Sequence, residues 1–400
     1  VKFLKSLKTS FKKFLSGVRG KAPRSSPRSS MLCNSIALEN FRNIARAEVA
    51  FDEGVNVLCG ENAQGKTNLL EAIAYAALGR SFRAMRDEEM IRFGADMAEV
   101  SVDFTDSVRR QNITVRLGRG KRRRIEQNRV KVERVSDIVG QLRTVLFCPE
   151  HLSLIKDGPA ERRNFLDVAL SQLYPMYLRS LQRYNQILKQ RNQLIRNYED
   201  DPQTFRDTIE FWSVQLAHEA AVLAGYRQKY LTAVDACVRE CFGEMTGGGE
   251  VPQVEYDGSS GQASEEYADS AATEAKYREL LLTRHEREIG AGTTLWGIHK
   301  DDILIRLNGK EARLYASQGQ QRSLALAFKL SEGEVCRQVC GEVPVLLLDD
   351  VFSELDRNRR AYLREKIVGR QVIITSCEPD ETVGGKVIAV ENGTFREVAR

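Results

Sequence analysis

Gly60-Glu61-Asn62-Ala63-Gln64-Gly65-Lys66-Thr67 constrains this 400-residue chain more than any other stretch, because it matches G-x-x-x-x-G-K-[ST] in full and in the right setting. Apolar Val55 to Cys59 ahead of it predicts a strand. Leu69, Leu70, Ile73 and Ala77 behind it predict an amphipathic helix over 68–78. Strand, glycine loop and helix in that order curl backbone N–H groups around a phosphate and aim a helix N-terminus at it. Lys66 then reaches the β- and γ-phosphates of a nucleotide such as ATP, and the Thr67 hydroxyl takes Mg2+. Pro344 opens a second element, Val345-Leu346-Leu347-Leu348-Asp349-Asp350, an apolar strand ending in two carboxylates. Asp349 suits Mg2+, and Asp350 suits orienting an attacking water. The 282 residues between Thr67 and Asp349 exclude a compact P-loop domain without a large insertion.

A change of period marks that insertion. Short strand patterns near 36–38, 47–51, 55–59, 99–104, 112–117 and 129–132 give way at Pro159, which suits a first helical position. Phe165, Leu166, Ala169, Leu170 and Leu173 share one face, and Tyr177, Leu181, Tyr184 and Leu188 continue at steps of three and four. Beyond Pro202, a stripe from Phe205 through Trp212, Leu216 and Tyr230 to Cys237 and Cys241 predicts a helix roughly 55–60 Å long. Residues 246–275, rich in Gly, Ser, Glu and Ala, read as a flexible tip. A helix over 274–288 returns toward strands near 303–307, 345–348, 372–375 and 387–390. The expected fold is an α/β P-loop body with a mixed sheet, in two pieces (31–157 and 291–400), around an all-helical lobe at 158–290.

Hydrophobic residues at 42% suffice for a sizeable core, and no run approaches the roughly 18–20 apolar residues that span a bilayer. The eight cysteines make no zinc-type pairs. Cys237/Cys241 and Cys336/Cys340 lie four apart in helical text and read as reduced thiols that pack like small hydrophobes, as in a cytoplasmic protein.

The net charge of +5 conceals an asymmetry. Residues 1–30 hold nine Lys or Arg and no acid, which leaves 51 basic against 55 acidic residues on the rest, a net −4. Within this leader Phe3, Leu4, Leu7, Phe11, Phe14, Leu15 and Val18 would suit a surface-lying amphipathic helix, and 21–30 reads as a disordered Pro/Ser/Arg linker. The favoured expectation is a start assigned upstream of Met31.

A nucleic-acid surface on the body must therefore be a local patch. The densest lies over 116–134, with nine basic residues against only Glu126 and Glu133. Alternation at 114–117 and 129–132 predicts a two-stranded ribbon turning at Arg119-Gly120-Lys121, with no acidic neighbours to neutralise it. Arg122, Arg123 and Arg124 are the candidate DNA contacts. The competing reading is a charged edge hairpin that resists aggregation. Failing the hairpin, the DNA surface is expected on the arm, near Arg179, Arg183 and Arg191.

Ser317-Gln318-Gly319-Gln320-Gln321-Arg322 precedes a helical stretch from Ser323 to Val335. It is either an ordinary N-cap or an anion site at a helix N-terminus. Alongside the two nucleotide motifs it resembles the signature of ABC-type ATPases, and Ser353-Glu354-Leu355-Asp356 resembles their D-loop. Further stretches narrow the likeness: Leu38-Glu39-Asn40-Phe41-Arg42-Asn43, Gly79-Arg80-Ser81-Phe82-Arg83, Phe147-Cys148-Pro149-Glu150-His151-Leu152 and the run from Gly158 to Asp167. From Met31 to about Val398 the chain resembles the RecF family, recombination-mediator ATPases related to SMC heads.

That resemblance implies an ABC-type ATPase head whose signature completes the γ-phosphate site of a partner copy. Lys66, Asp350 and Ser317 would serve hydrolysis. Nucleotide contacts would come from Arg42, Asn43, Gly60, Glu61, Asn62, Ala63, Gln64, Gly65, Lys66, Thr67, Asn68, Gly319 and Gln320, and Mg2+ ligands from Thr67 and Asp349. It further implies a slow, DNA-stimulated ATPase that dimerises on ATP at gapped, single- or double-stranded DNA. Such a protein would act with RecR to load RecA in recombinational repair, replication restart and the SOS response. The alternative is an SMC-like ATP-gated structural head without a mediator role. Two departures stand out: His151 replaces a usual Asp, and Ile298 and Lys300 flank His299 atypically. His299 is as readily a turn residue as a functional one, and the lobe-connecting loop near Glu150 lacks an obvious Gln. A transporter subunit is disfavoured because Thr375-Ser376 follow the strand where a γ-phosphate-sensing His would stand.

Overall fold

The computed structural model describes residues 29–377 and 384–398. Two six-stranded sheets enclose one helix. The first is ordered Thr394–Glu397, Lys386–Glu391, Val55–Cys59, Val372–Ser376, Val345–Asp349, Thr144–Phe147. All its neighbours are parallel except the outermost pair, Lys386–Glu391 with Thr394–Glu397. The second is antiparallel throughout, ordered Ile44–Ala50, Leu32–Phe41, Met97–Thr105, Arg110–Gly118, Lys121–Gln127, Val130–Val132. Between them runs the P-loop helix, Lys66–Leu78, whose residues Leu69 to Ala77 are all buried. A helix buried on every side, with Glu71 its one acid, belongs inside, and both sheets supply its walls. The sheet is mixed, as expected.

The insertion is a bundle of Pro159–Leu173, Pro175–Arg196 and Pro202–Thr246, each opening on a proline in its first turn. The 45-residue third helix is about 67 Å long and starts at Asp201, whose side chain accepts the Thr204 N–H at 3.0 Å. Its stripe packs on the helix Gln318–Cys340 and shares one core with Pro159–Leu173.

Four expectations need correction here. Residues 246–275 are not a free tip: Pro252–Asp257 pairs antiparallel along the full length of Asp302–Leu307, and a helix begins at Ser270. Alternate side chains Pro252, Val254 and Tyr256 are buried, an alternation hidden in the text by the surrounding glycines and acids. The inserted lobe is therefore not all-helical. The helix expected over 274–288 is two, Ser270–Thr283 and His285–Ala291, broken at Arg284 without glycine or proline to announce it. The basic ribbon pairs Arg110–Gly118 with Lys121–Gln127, not with 129–132, since Asn128 and Arg129 form a second turn at φ 51° and 67°.

The leader residues 1–28, with their expected amphipathic helix, lie outside the described residues. The expected linker at 21–30 ends in order: Ser29–Ser30 pairs in parallel with Glu342–Val343.

Candidate nucleotide-binding site

The P-loop joins the central strand Val55–Cys59 to the enclosed helix. Gly65 stands at φ 114°, a left-handed value that favours glycine, and a Cβ there would press on the Asn43 amide. A Cβ on Gly60 would overlap the Val390 carbonyl, so the loop sits directly against the neighbouring strand. Gln64 ties it further, its Oε1 accepting the Asn392 N–H at 2.6 Å and its carbonyl the Gly393 N–H at 2.9 Å. Glu61, Asn62 and Ala63 stay exposed at the loop's crest. Lys66 folds back to donate to the Gly60 carbonyl and, at 2.7 Å, to that of Glu61.

Parallel pairing through Val372–Ser376 brings the two distant motifs together. The Thr67 hydroxyl donates to Asp349 Oδ1 at 2.8 Å, and Thr375 Oγ1 donates to the same oxygen at 2.8 Å. Thr375 also accepts the Asp350 N–H at 2.8 Å. Asp350 itself is left-handed at φ 50°, a turn that ends the strand and starts the short helix Val351–Glu354. Burial raises the Asp349 pKa above the usual carboxylate value, against the opposing bonds from Thr375 and Thr67. The Glu150 carboxylate adds to that rise and Arg83 opposes it, which puts both within electrostatic reach of Asp349. A hydroxyl and a carboxylate on adjacent strand and helix ends are hard oxygen donors that suit Mg2+, with phosphate oxygens and water completing its shell.

Arg42 stands at φ 55°, and its guanidinium is held bidentate by Glu71 at 2.9 and 2.7 Å. Arg83 joins at 3.8 Å and the Ser81 hydroxyl at 2.5 Å, so one fully buried carboxylate anchors Arg42, Ser81 and Arg83. Asn43 bridges the Ala63 carbonyl at 3.2 Å and the Asn68 amide at 2.8 Å. Glu71 was not singled out from sequence, and Thr375, Glu150 and Arg83 were named there without a role at this site. Glu71 carries the clearest missed signal, an acid on the apolar face of a helix that has no solvent side.

Ser317 is the exposed N-cap of Gln318–Cys340, in a reciprocal capping box with Gln320 at 3.3 and 2.7 Å. The Gly319 carbonyl accepts Arg359 at 2.7 Å, and Arg359 also donates to Ser323 at 2.7 Å. Arg322 reaches the Glu354 carbonyl at 3.1 Å, so the segments around Ser317 and Glu354 are braced together. Leu314 and Tyr315, just ahead of Ser317, are two-thirds exposed, at 66% and 69%.

The basic ribbon is less free than its text. Arg123 points inward to the Tyr75 hydroxyl at 3.0 Å and the Gly79 carbonyl at 2.6 Å, with Asp87 at 3.4 Å. Arg116 is clamped by Glu99 and Glu126, and Arg124 meets Glu126 at 3.1 Å. Acids from other strands and turns thus neutralise part of the patch, contrary to expectation. Arg122 and Arg124 remain exposed; Arg123 is a packing residue. On the arm, Arg191 is wholly buried against Glu288 at 2.5 Å, which removes it as a DNA candidate, and Arg183 pairs with Glu219 at 2.9 Å.

Both unusual histidines have structural partners. His299 Nε2 donates to the Thr294 carbonyl at 3.1 Å and its Nδ1 accepts the Tyr184 hydroxyl at 2.6 Å; burial lowers its pKa to about 4. His151 Nδ1 accepts the Cys148 N–H at 3.3 Å, and burial holds it well below the ordinary histidine value.

Residues 32–390 match the family described as RecF/RecN/SMC N terminal domain. The DNA replication and repair protein RecF of Ruminiclostridium cellulolyticum is 36% identical over 363 residues, 90% of this chain and 96% of its own. That of Oceanobacillus iheyensis is 37% identical, over 85% and 91%. A solved structure of the recombination mediator protein RecF-ATP in the RecFOR pathway superimposes with TM-score 0.87 at 32% identity, covering 94% of this chain and 100% of that one. An Smc head domain from Pyrococcus furiosus, at TM-score 0.54 and 16% identity, shares the fold.

Proposed function

The chain belongs to the RecF family of DNA replication and repair proteins, and from that premise we propose that it binds ATP with Mg2+ at the P-loop and dimerises on the bound nucleotide at DNA. The observation that carries this is the shared Asp349 oxygen, which receives the Thr67 and Thr375 hydroxyls at 2.8 Å each and so joins the P-loop, the strand Val345–Asp349 and the strand between them. In this reading Lys66 exchanges its loop carbonyls for phosphate oxygens. Thr67 and Asp349 hold the cation, and Asp350, beside Thr375, orients water for a slow hydrolysis.

Ser317 and Gly319 make their hydrogen bonds with Gln320 and Arg359, and they stand beside exposed Leu314 and Tyr315. An exposed helix N-terminus flanked by apolar side chains suits the γ-phosphate and surface of a second copy. Arg122 and Arg124 on the ribbon would supply phosphate contacts to DNA. By family likeness the assembly would work in the cytoplasm with RecR at single-strand gaps, favouring RecA loading.

Sizing the protein by light scattering with ATP, ADP or no nucleotide, each with and without gapped DNA, tests the proposal. A dimer formed with ATP and lost with ADP is expected. A species of unchanged mass in all conditions overturns it.

A further inference from the structure

A turn ahead of the strand Met97–Thr105 brings one bare aromatic ring to the basic ribbon. Phe93 is 99% exposed. It stands at the second position of a type II turn, in which the Ala95 N–H donates to the Arg92 carbonyl at 3.0 Å and Gly94 takes φ 82°. Single exposed apolar residues are common on protein surfaces, but this one sits on a braced support. The Arg92 N–H donates to the Asn40 carbonyl at 2.8 Å, and Ile91 bridges to Phe41. From the other side, Arg119 donates through Nε to the Ala95 carbonyl at 2.9 Å and through its backbone N–H to that of Asp96 at 3.1 Å. The Gly120 N–H reaches Glu88 at 2.8 Å. The tip of the ribbon is thus fastened to the turn that carries the ring, and Met97, 51% exposed, pairs with Gly118 beside them.

We propose that Phe93 is a stacking platform for an unpaired base of DNA, with Arg92, Arg119, Lys121 and Arg122 holding the phosphates on either side of that base. The inference rests on the DNA-binding reading above and adds to it a preference for gapped over fully paired DNA. The face of a phenyl ring can cover any base that has left its helical stack, whereas bases inside a duplex already cover one another.

The charge around the ring suits that ligand. Segments 86–97 and 119–124 carry seven basic residues against four acidic. Three of those acids are turned toward the protein: Asp87 to Arg123, Glu88 to the Gly120 N–H and Glu89 to the Met85 N–H at 3.2 Å. Arg92, Arg119, Lys121 and Arg122 stay exposed. An aromatic ring among cations is the combination that single strands require, the ring for the base and the cations for the backbone. Because its turn is already fixed, the ring loses little freedom on binding.

Fluorescence anisotropy in ATP compares a gapped duplex with a fully paired duplex of the same length, for the full chain and its Phe93 variants. Phe93→Ala should weaken binding of the gapped duplex by about 5- to 100-fold, the loss of one stacked base, and change that of the paired duplex by less than about twofold. Its log–log salt slope on gapped DNA should match that of wild type, because no phosphate contact is lost. Phe93→Trp should bind as wild type does. Phe93→Leu, which keeps apolar bulk without a ring, should fail as Phe93→Ala does. An equal loss on both duplexes, or full affinity for the gapped duplex in Phe93→Leu, overturns the proposal. So does a Phe93→Ala protein that no longer forms the ATP dimer without DNA, since the ring would then be a contact between copies. A wild type that binds neither duplex defeats the DNA reading and this inference together, whereas a wild type that binds both while Phe93→Ala loses nothing defeats the inference alone.

Discussion

Lys66 bonds to its own loop through the Gly60 and Glu61 carbonyls, so its ammonium is already poised over the space that a phosphate would fill. Replacing those neutral acceptors by a polyanion adds an ion pair to each bond, and hydrogen bonds to charged groups are worth about 1.5–3 kcal/mol. Lys66→Ala should lower ATP affinity by about 100-fold in calorimetry and leave the melting temperature within a few degrees of wild type. A folded variant with unchanged affinity would remove the P-loop assignment. His299 gives a pH test. Its pKa is about 4 in the fold against an ordinary 6.5, so between those values the unfolded chain binds more protons than the folded one. Stability is therefore full above about pH 6.5 and declines as pH falls toward 4, by on the order of 2–3 kcal/mol from this group. His299→Gln should flatten that part of the melting-temperature profile relative to wild type between about pH 7 and pH 4.5. Parallel profiles for the two proteins would show that His299 is not held neutral.

Two elements decide how the arm and the ribbon behave. Arg191, fully buried, binds Ser213 at 3.1 Å, Thr294 at 2.8 Å and Glu288 at 2.5 Å, joining three segments of the arm. Arg191→Met leaves the buried Glu288 carboxylate without its cation and should cost about 3–5 kcal/mol in urea unfolding. Adding Glu288→Leu should recover most of that loss, and a double variant no better than the single would contradict the pairing. On the ribbon, Arg122→Ala with Arg124→Ala should lower the slope of log affinity against log salt by about 0.7–0.9 for each phosphate no longer neutralised. Arg123→Ala should instead lower the melting temperature, because it removes the bonds to Tyr75 and Gly79. An unchanged slope in the double variant would make the ribbon a charged edge only.

The same elements show where sequence reasoning reaches. The glycine loop, the apolar strand ending in Asp349, Pro159 as a helix start and the long stripe from Phe205 were legible because local pattern and tertiary role coincide there. Arg123 and Arg191 were not, because a charge run looks the same whether its partners are water or a remote Glu. The strand Pro252–Asp257 was missed because its pairing partner, Asp302–Leu307, lies far along the chain.

At the scale of the whole molecule, Ser317→Arg should leave nucleotide binding by the monomer intact and abolish the ATP-dependent dimer, by bulk and charge at the exposed helix start. Asp350→Asn, which tolerates the same left-handed backbone, should prolong that dimer by slowing hydrolysis. Light scattering with ATP reads both, and a Ser317→Arg protein that still dimerises would exclude a composite site. The sheet order carries a consequence for how the protein is made. Val57 pairs with Ile374 on one side and Val387 on the other. At about 5–20 residues per second, roughly 15–60 s of translation separate the emergence of the P-loop strand from that of either neighbour. Throughout that interval the nascent chain holds a glycine loop and a largely apolar helix with one wall made, the antiparallel sheet over 32–132, and the parallel strands of the other wall still missing. A ribosome that stalls after Asp350 yields both nucleotide motifs and still no site, since the strand joining them has not been synthesised.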